Sequence, residues 1–359
     1  MIRSGKKVFL GMSGGVDSSV SAALLKEQGF DVTGVFIKVW NPDWMECTWR
    51  EDRLDAMRVA AQLNIPFKTI DLEKEYKKEV VDYMVSEYAL GNTPNPDVMC
   101  NQHIKFGGFF KWATLEGADY VATGHYAQTK KNADTGHYEL WSGVDSSKDQ
   151  SYFLWTLTES QVSRTLFPVG SYEKKQVREL AKKYQLPVAH KKDSQGLCFI
   201  GKIAIEDFLG HYLEKKKGAV LDVSGAVIGE HDGAFFFTLG ERHGFTITKK
   251  TPEELPYYVV GKDINKNTIT VSHKSEHGQL RIENVDVTLG STNWIGSELV
   301  LGKKYTARIR HLGDYLPCMC SMLGAGQARL LFDTPLCVAS GQSVVVYEDG
   351  RCMGGGIAQ

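Results

Sequence analysis

The sequence predicts an N-terminal α/β domain built on a parallel sheet, followed by two smaller β-rich domains, the last of them a β-barrel. Three observations carry this reading. Up to about residue 210, apolar strand-like runs alternate with amphipathic helical stretches, the pattern of βαβ units. Beyond that point, short β-branched and aromatic runs are broken by Gly, Asn and Asp, which is how consecutive strands and turns read. The length of 359 residues also exceeds one ordinary domain of roughly 150 residues. The expected units are 1–210, 211–280 and 281–359.

The elements follow in order. Residues 8–12 form a first strand, 20–29 a helix ended by Gly29, and 32–39 a second strand. Helical periodicity covers 50–63, a third strand covers 67–72, and a long helix covers 73–90 with Val80, Val81, Met84 and Tyr88 on its apolar side. A further strand covers 120–123. Helical patterning continues over 152–166 and 174–184, where Pro187 stops it. In the β-rich half, strands are expected at 220–223, 235–239, 257–260, 268–271, 285–289, 305–309, 329–332 and 343–347.

Composition narrows the function classes. Apolar residues are 42% and charged residues 24% of the chain, which excludes a disordered, collagen-like or disulfide-scaffold protein. Lys and Arg number 42 against 43 Asp and Glu, so contact with nucleic acid requires a local basic patch. The segment 161–220 supplies one, with twelve Lys/Arg against six Asp/Glu, although a solvated helix face explains 174–183 nearly as well. Seven cysteines without a paired rhythm read as thiols in a reducing compartment. The short apolar run near the N-terminus falls below a signal-peptide core and nothing reaches membrane-spanning length, so a cytoplasmic protein is expected, with no membrane partner.

The sharpest local feature is Gly11-Met12-Ser13-Gly14-Gly15-Val16-Asp17-Ser18-Ser19, between the first strand and the first helix. Tandem glycines let backbone approach an anion, the serines offer hydroxyl donors, and the helix offers free N–H groups and its positive dipole end. The loop lacks the Gly-Lys-[Ser/Thr] ending of a Walker A loop and is not GxGxxG. A second feature is Thr93-Pro94-Asn95-Pro96-Asp97-Val98-Met99-Cys100-Asn101, where two prolines stiffen the approach to a helix that bears a carboxylate and a thiol. It reads either as reactive or as a buried Cys beside an N-capping Asp. A third is Lys191-Lys192-Asp193-Ser194-Gln195-Gly196-Leu197-Cys198, an accessible thiol in an electropositive setting, or else part of a short buried strand through Ile200. Cys47, Cys318, Cys320, Cys337 and Cys352 show no zinc spacing, and neither His103 nor His243 suggests a metal ligand.

The glycine loop resembles the SGGxDS motif of the PP-loop, adenine nucleotide alpha hydrolase-like ATP pyrophosphatases. That resemblance implies cleavage of ATP between its α and β phosphates, an adenylated intermediate and Mg²⁺, with Asp17 either orienting the loop or approaching the metal. The ordered set FLGMSGGVDSSVSA, TPNPDVMCNQHIKF, ATGHYA, KDQSYFL, DSQGLCFIG and SGQSVVVY spans essentially the whole chain and resembles the tRNA-specific 2-thiouridylase (MnmA) family. This implies ATP-dependent 2-thiolation of wobble uridine 34 in tRNAs for Lys, Glu and Gln. Cys198 would carry sulfur as a persulfide, Cys100 would release it through a transient Cys100–Cys198 disulfide, and Asp97 would transfer the proton. ATP would contact Gly11, Met12, Ser13, Gly14, Gly15, Val16, Asp17, Ser18, Ile37 and Gly124. Ile37 stands where Met is frequent in the family, which a mainly backbone contact tolerates. Asn95, Pro96 and Asp97 would receive the target base. His125, Lys148, Asp149, Gln150, Arg310, His311 and Gln342 would contact tRNA. The sulfur donor would be a cysteine desulfurase or a sulfur carrier protein. Two other readings stand beside this one: another PP-loop synthetase, which gives two distant cysteines no role, and an RNA-binding module with a vestigial nucleotide loop.

Overall fold

The computed structural model describes residues 5–45, 49–193, 198, 201, 203–248, 255–274, 284–296, 299–300, 302–324 and 326–359. Cys47 and the segments 194–197 and 199–200 flanking Cys198 lie outside the described residues. The first body is a parallel sheet of β1 (Lys7–Gly11), β2 (Asp31–Lys38), β3 (Phe67–Asp71), β4 (Tyr120–Ala122) and, after a hairpin, β7 (Thr165–Leu166), in the order β3-β2-β1-β4-β7. Strand order reverses at β1, with Val8 paired to Val32 on one side and to Tyr120 on the other. The loops leaving the carboxyl ends of β1 and β4 therefore diverge and open a crevice, the usual ligand position in an open α/β sheet.

Both faces of the sheet are covered, which is why its strands read as apolar runs rather than alternating ones. One face packs α1 (Val16–Glu27) and α2 (Trp49–Gln62), with Val20, Leu24, Ala56 and Val59 buried. The other packs α3 (73–89) and α4 (96–115), whose Tyr76, Val80, Val81, Met84, Ile104 and Phe109 join the larger core. Both of these helices contain a widened π-helical stretch, Lys77–Asp82 in α3 and Cys100–Phe109 in α4. Bonding from i to i+5 there stacks residues five apart, whereas an α-helix sets them about 140° around its axis.

The expected helix over 152–166 is replaced by a 3₁₀ turn (Ser151–Leu154), a short α5 (Glu159–Ser163) and β7. Thr158 caps α5 with a reciprocal Gln161 bond, so a new helix starts where the periodicity suggested continuation. α6 (Lys174–Lys183) follows closely as expected, and α7 (Ile205–Leu209) ends the first half.

The hairpin β5 (Ala127–Lys131) and β6 (Tyr138–Ser142) leaves the α/β body and pairs with a strand near the C-terminus, Cys352 to Leu140. A central sheet of β8 (Gly218–Leu221), β9 (Val227–His231), β10 (Phe245–Ile247), β11 (Tyr258–Asp263) and β12 (Thr268–Ser272) forms the second body. The expected strand over 235–239 is instead a 3₁₀ turn, Ala234–Phe236, that drops Ala234 and Phe237 into this sheet's core. The third body comprises β13 (Asn284–Trp294), β14 (Lys304–Arg308), β15 (Leu316–Gly324), β16 (Gln327–Leu336), β17 (Ser343–Glu348) and β18 (Arg351–Ala358). Pairing of β18 back to β13 closes these six into a barrel. Gly354, Gly355 and Gly356 allow the closure, because a Cβ on Gly354 would lie 2.0 Å from the Asn293 carbonyl oxygen. Cys318 and Cys320 point inward on β15, and burial pushes their thiols up to about 12 and about 11. Among the described residues no helix is long and apolar enough to cross a membrane.

Buried polar contacts fix the barrel against the α/β body. Arg308 Nη1 donates to Asp149 Oδ2 at 2.7 Å, Tyr152 Oη donates to the Ser343 carbonyl at 2.8 Å, and Asn293 Nδ2 donates to the Trp155 and Leu157 carbonyls. The Thr93 N–H donates to the Ser340 carbonyl at 2.7 Å, so the barrel also braces the loop that precedes Asp97.

Candidate functional site

The crevice at the carboxyl ends of β1 and β4 is a cavity of about 460 Å³. Gly11, Met12, Ser13, Gly15, Val16, Asp17, Ser18, Ile37 and Gly124 line it; Gly14 is tucked behind. Gly14 has φ +73°, and a Cβ there would sit 2.2 Å from the Asp52 carbonyl oxygen, so only glycine completes this turn. Gly124 backs directly onto the first turn of α1, where a Cβ would approach the Ser18 nitrogen to 2.7 Å. The serines divide their work. Ser18 and Ser19 hydroxyls donate to the Gly15 carbonyl at 3.3 and 2.7 Å and are buried, whereas Ser13 is exposed. Ser13 Oγ in turn accepts from the Gly15 N–H at 3.4 Å and lies 3.3 Å from Ser18 Oγ, so all three hydroxyls are tied into the loop and Ser13 is the exposed one at the cavity.

Asp17 is held by Lys174, whose Nζ lies 2.7 and 2.8 Å from its two oxygens, and by the Tyr126 hydroxyl at 2.8 Å. Lys174 also pairs with Asp193 at 3.0 Å. Burial opposes ionisation of Asp193, but bonds from Lys174, Lys148 and Arg178 outweigh it and hold the carboxyl down to about 2.

The thiol pair sits at the end of the same cavity. Asn95 caps α4 by accepting from the Val98 N–H at 3.1 Å, with Pro96 at the first helical position. Pro96 is buried, so Asn95 and Asp97 carry the side-chain surface of that turn. Asp97 Oδ1 accepts from the Cys198 N–H at 3.0 Å, while the Tyr76 hydroxyl donates to the Cys198 carbonyl at 2.7 Å. These two bonds clamp the Cys198 peptide from α4 and α3. The Cys198 thiol is within hydrogen-bonding reach of the buried Cys100 thiol, and both are free thiols in this structure. That contact, together with burial and the Asp97 charge, pushes Cys198 well above the ordinary thiol value.

This corrects the electropositive setting expected for Cys198. Lys191 is spent on Asp52 and Asp55, each at 2.8 Å, and the cation beside the sulfur is Lys105, 3.9 Å away. Lys105 escaped sequence reasoning because α-helical spacing puts it on a different face from Cys100; the π-helical stretch brings the two together. The basic surplus of 161–220 is likewise reduced by pairing, with Lys174, Arg178, Lys183, Lys191, Lys215 and Lys217 all matched to carboxylates.

The residues expected to contact tRNA fall into distinct places. Lys148, Gln150 and His311 line the crevice, and Arg310 is exposed next to it in sequence. His311 packs against the Phe153 ring at 4.3 Å and its Nδ1 is buried without a partner among the described residues. His125 also lines the crevice but is buried, with burial and then the Lys105 ammonium pushing its ring well below the ordinary value. Gln342 accepts from the Ala339 N–H at 2.7 Å in the turn before β17. Asp149 is the clear correction. It is 1% exposed, and the Gly143 and Ser151 N–H groups, the Ser151 hydroxyl and Arg308 occupy its oxygens, so its side chain is a strut between bodies rather than part of the crevice lining.

Known proteins resemble this chain along its whole length. Three family models match in order: the tRNA methyl transferase HUP domain over residues 6–202, the tRNA methyl transferase PRC-barrel domain over 206–273, and the aminomethyltransferase beta-barrel domain over 285–358. The tRNA-specific 2-thiouridylase MnmA of Proteus mirabilis is 44% identical, covering 99% of this chain and 98% of that protein. The protein of the same name from Bacillus subtilis is 42% identical over 98% of this chain and 94% of its own length. That from Escherichia coli O6:K15:H31 is 44% identical over 100% and 98%.

Proposed function

The chain belongs to the tRNA-specific 2-thiouridylase MnmA family, a family of tRNA sulfurtransferases, and from that premise we propose that it replaces the C2 oxygen of uridine 34 by sulfur in tRNAs for Lys, Glu and Gln. The observation that carries this reading is the meeting of Cys100 and Cys198 at the wall of the crevice that begins with the Gly11–Ser18 loop. The family description and the relatives' name denote different chemistry, methyl and sulfur transfer. Paired thiols favour the second, since one can carry sulfur while the other releases it.

Each proposed step is assigned to residues at the crevice. The α1 amides, Ser13 and Gly15 receive ATP phosphates, and Ile37 borders the adenine side. The wobble base, already partly unstacked in its loop, enters beside Asn95 and Asp97, with His311 available to stack. Asp97 takes the N3 proton as O2 attacks the α-phosphorus; the α–β bridging bond breaks and pyrophosphate leaves. The terminal sulfur of a Cys198 persulfide adds to C2, and AMP departs with the C2 oxygen. Cys100 then attacks the Cys198 Sγ, the persulfide S–S bond breaks, its electron pair returns to the sulfur on C2, and Asp97 returns the proton to N3. A Cys100–Cys198 disulfide remains for a thiol reductant.

Mg²⁺ would be carried chiefly on the phosphate oxygens of ATP: the crevice carboxylates Asp17 and Asp193 are both paired with Lys174 in this structure, and either would hold the ion only by exchanging that ammonium for it. When bound, it neutralises phosphate charge. The sulfur donor is a cysteine desulfurase or a sulfur carrier protein, the compartment is the cytoplasm, and the working units are a catalytic domain (1–210), a central domain (211–280) and the C-terminal barrel (281–359). The test is mass-spectrometric measurement of 2-thiouridine in tRNA after incubation with ATP and an enzymatically generated persulfide. Wild type yields the product, whereas Cys100→Ser and Cys198→Ser lose it; full activity in both variants defeats the reading.

A further inference from the structure

We propose that Lys105 is a catalytic residue of this site, the cation that holds the sulfur carried on Cys198 in its anionic, attacking form, and that His125 is the positioning residue that aims it. The inference rests on the sulfur chemistry proposed above and assigns that chemistry its counter-charge.

The geometry is a three-membered relay ending at sulfur. Lys105 Nζ lies 3.9 Å from Cys198 Sγ and 3.1 Å from His125 Nε2. An ammonium has donors only, so Nε2 must offer its lone pair and the ring proton must sit on Nδ1. Nδ1 then donates to Thr123 Oγ1, 2.7 Å away at the end of β4. Phe106 and Phe167 pack against the imidazole with ring centroids 6.1 and 6.0 Å from it, fixing its plane. Burial keeps the ring neutral, so it accepts from the ammonium instead of repelling it.

The surroundings show why sulfur needs this charge. Cys198 faces Asp97 and Cys100 from the start of α4, Tyr76 from α3, and Lys105 from the π-helical stretch. Asp97 and the Cys100 thiol both disfavour an anion at Cys198, and the Tyr76 hydroxyl is turned to the backbone carbonyl. Among the described residues acting on Cys198, Lys105 is the charge that favours the anion. The reverse also holds: a sulfur anion 3.9 Å away, together with the Asp97 carboxylate, favours the ammonium form of Lys105 at this partly buried position. When that anion adds to C2 its charge passes to the base and on to departing AMP, so Lys105 favours loading of the nucleophile without a covalent role of its own.

The test reads the sulfur directly. In the full chain carrying Cys100→Ser, so that one of the two thiols reports, iodoacetamide alkylation of Cys198 is followed against pH by peptide mass spectrometry. Lys105→Met is expected to move the alkylation midpoint upward by about one unit, slowing alkylation about ten-fold at pH 7.5. Lys105→Arg restores most of the rate. His125→Phe, which leaves the charge but removes its acceptor, moves the midpoint in the same direction by less. It also carries the test if Lys105→Met does not fold. An unmoved midpoint in the folded variant overturns the proposal. Failure of wild type to make 2-thiouridine is a separate result: it removes the functional reading, while the alkylation profile still decides whether Lys105 governs Cys198.

Discussion

Replacing Asp149 by Ala should destabilise the chain rather than weaken its hold on RNA. The side chain is 1% exposed and Arg308 5%. Removing the carboxylate leaves a buried guanidinium without its partner at 2.7 Å, and Arg308 Nε already lacks a hydrogen-bond acceptor among the described residues. Breaking one side of a buried ion pair costs about 3–5 kcal/mol. The Gly143 and Ser151 N–H groups lose their acceptor as well, adding about 1–3 kcal/mol for each that water does not reach. Stacking of Arg308 over Tyr315 at 3.9 Å recovers part of this. A net loss of about 3–5 kcal/mol corresponds to roughly 6–20 °C in the melting of a unit of 150–250 residues. Differential scanning calorimetry measures it, and a second variant, Asp149→Ala with Arg308→Met, should regain part of the loss because no charge is left buried alone. If Asp149→Ala melts with wild type yet binds tRNA ten-fold more weakly, the strut argument is wrong and the residue faces RNA.

The remaining predictions concern the nucleotide, the RNA and pH. Gly124→Val should abolish ATP binding by calorimetric titration while leaving tRNA binding within two-fold, because its Cβ falls on the Ser18 nitrogen and displaces the first turn of α1. Exposed Arg310→Ala should weaken tRNA binding similarly across substrate sequences and lower the salt slope by about one, measured by filter binding between 50 and 200 mM salt. His125 has its folded-state value depressed below the unfolded one, first by burial and then by Lys105. Its contribution to stability is complete above pH 6.5 and is lost as pH falls from there toward the folded value, at no more than about 1.4 kcal/mol per pH unit. Wild type should therefore lose more stability than His125→Gln between pH 6.5 and 5.5 in denaturant melts, and parallel losses would contradict a neutral buried ring.

The parallel sheet, the loop after β1 and the candidate cysteines were legible because each is encoded locally. Apolar runs mark strands buried on both faces, and Gly14 and Gly15 mark a turn that side chains cannot make. The hairpin β5–β6 was less visible because its strands alternate weakly, although the Asn132–Gly136 turn residues were a usable sign. β18 hid because Gly354, Gly355 and Gly356 read as a breaker; they are present because another strand crosses at contact distance. Cys318 and Cys320 looked like any CxC until the barrel turned both inward.

Sequence by itself determined the fold class, the family and the candidate site residues, since these depend on residue type and short spacing. Tertiary structure alone decided which groups meet. Cys198 reaches Cys100 across nearly a hundred residues only because Asp97 and Tyr76 hold its peptide. Lys105 faces the sulfur only because α4 widens. Asp149 became a strut because a barrel more than a hundred residues away supplied Arg308. Charge and reactivity are set by distance and burial, and neither is a local property of the chain.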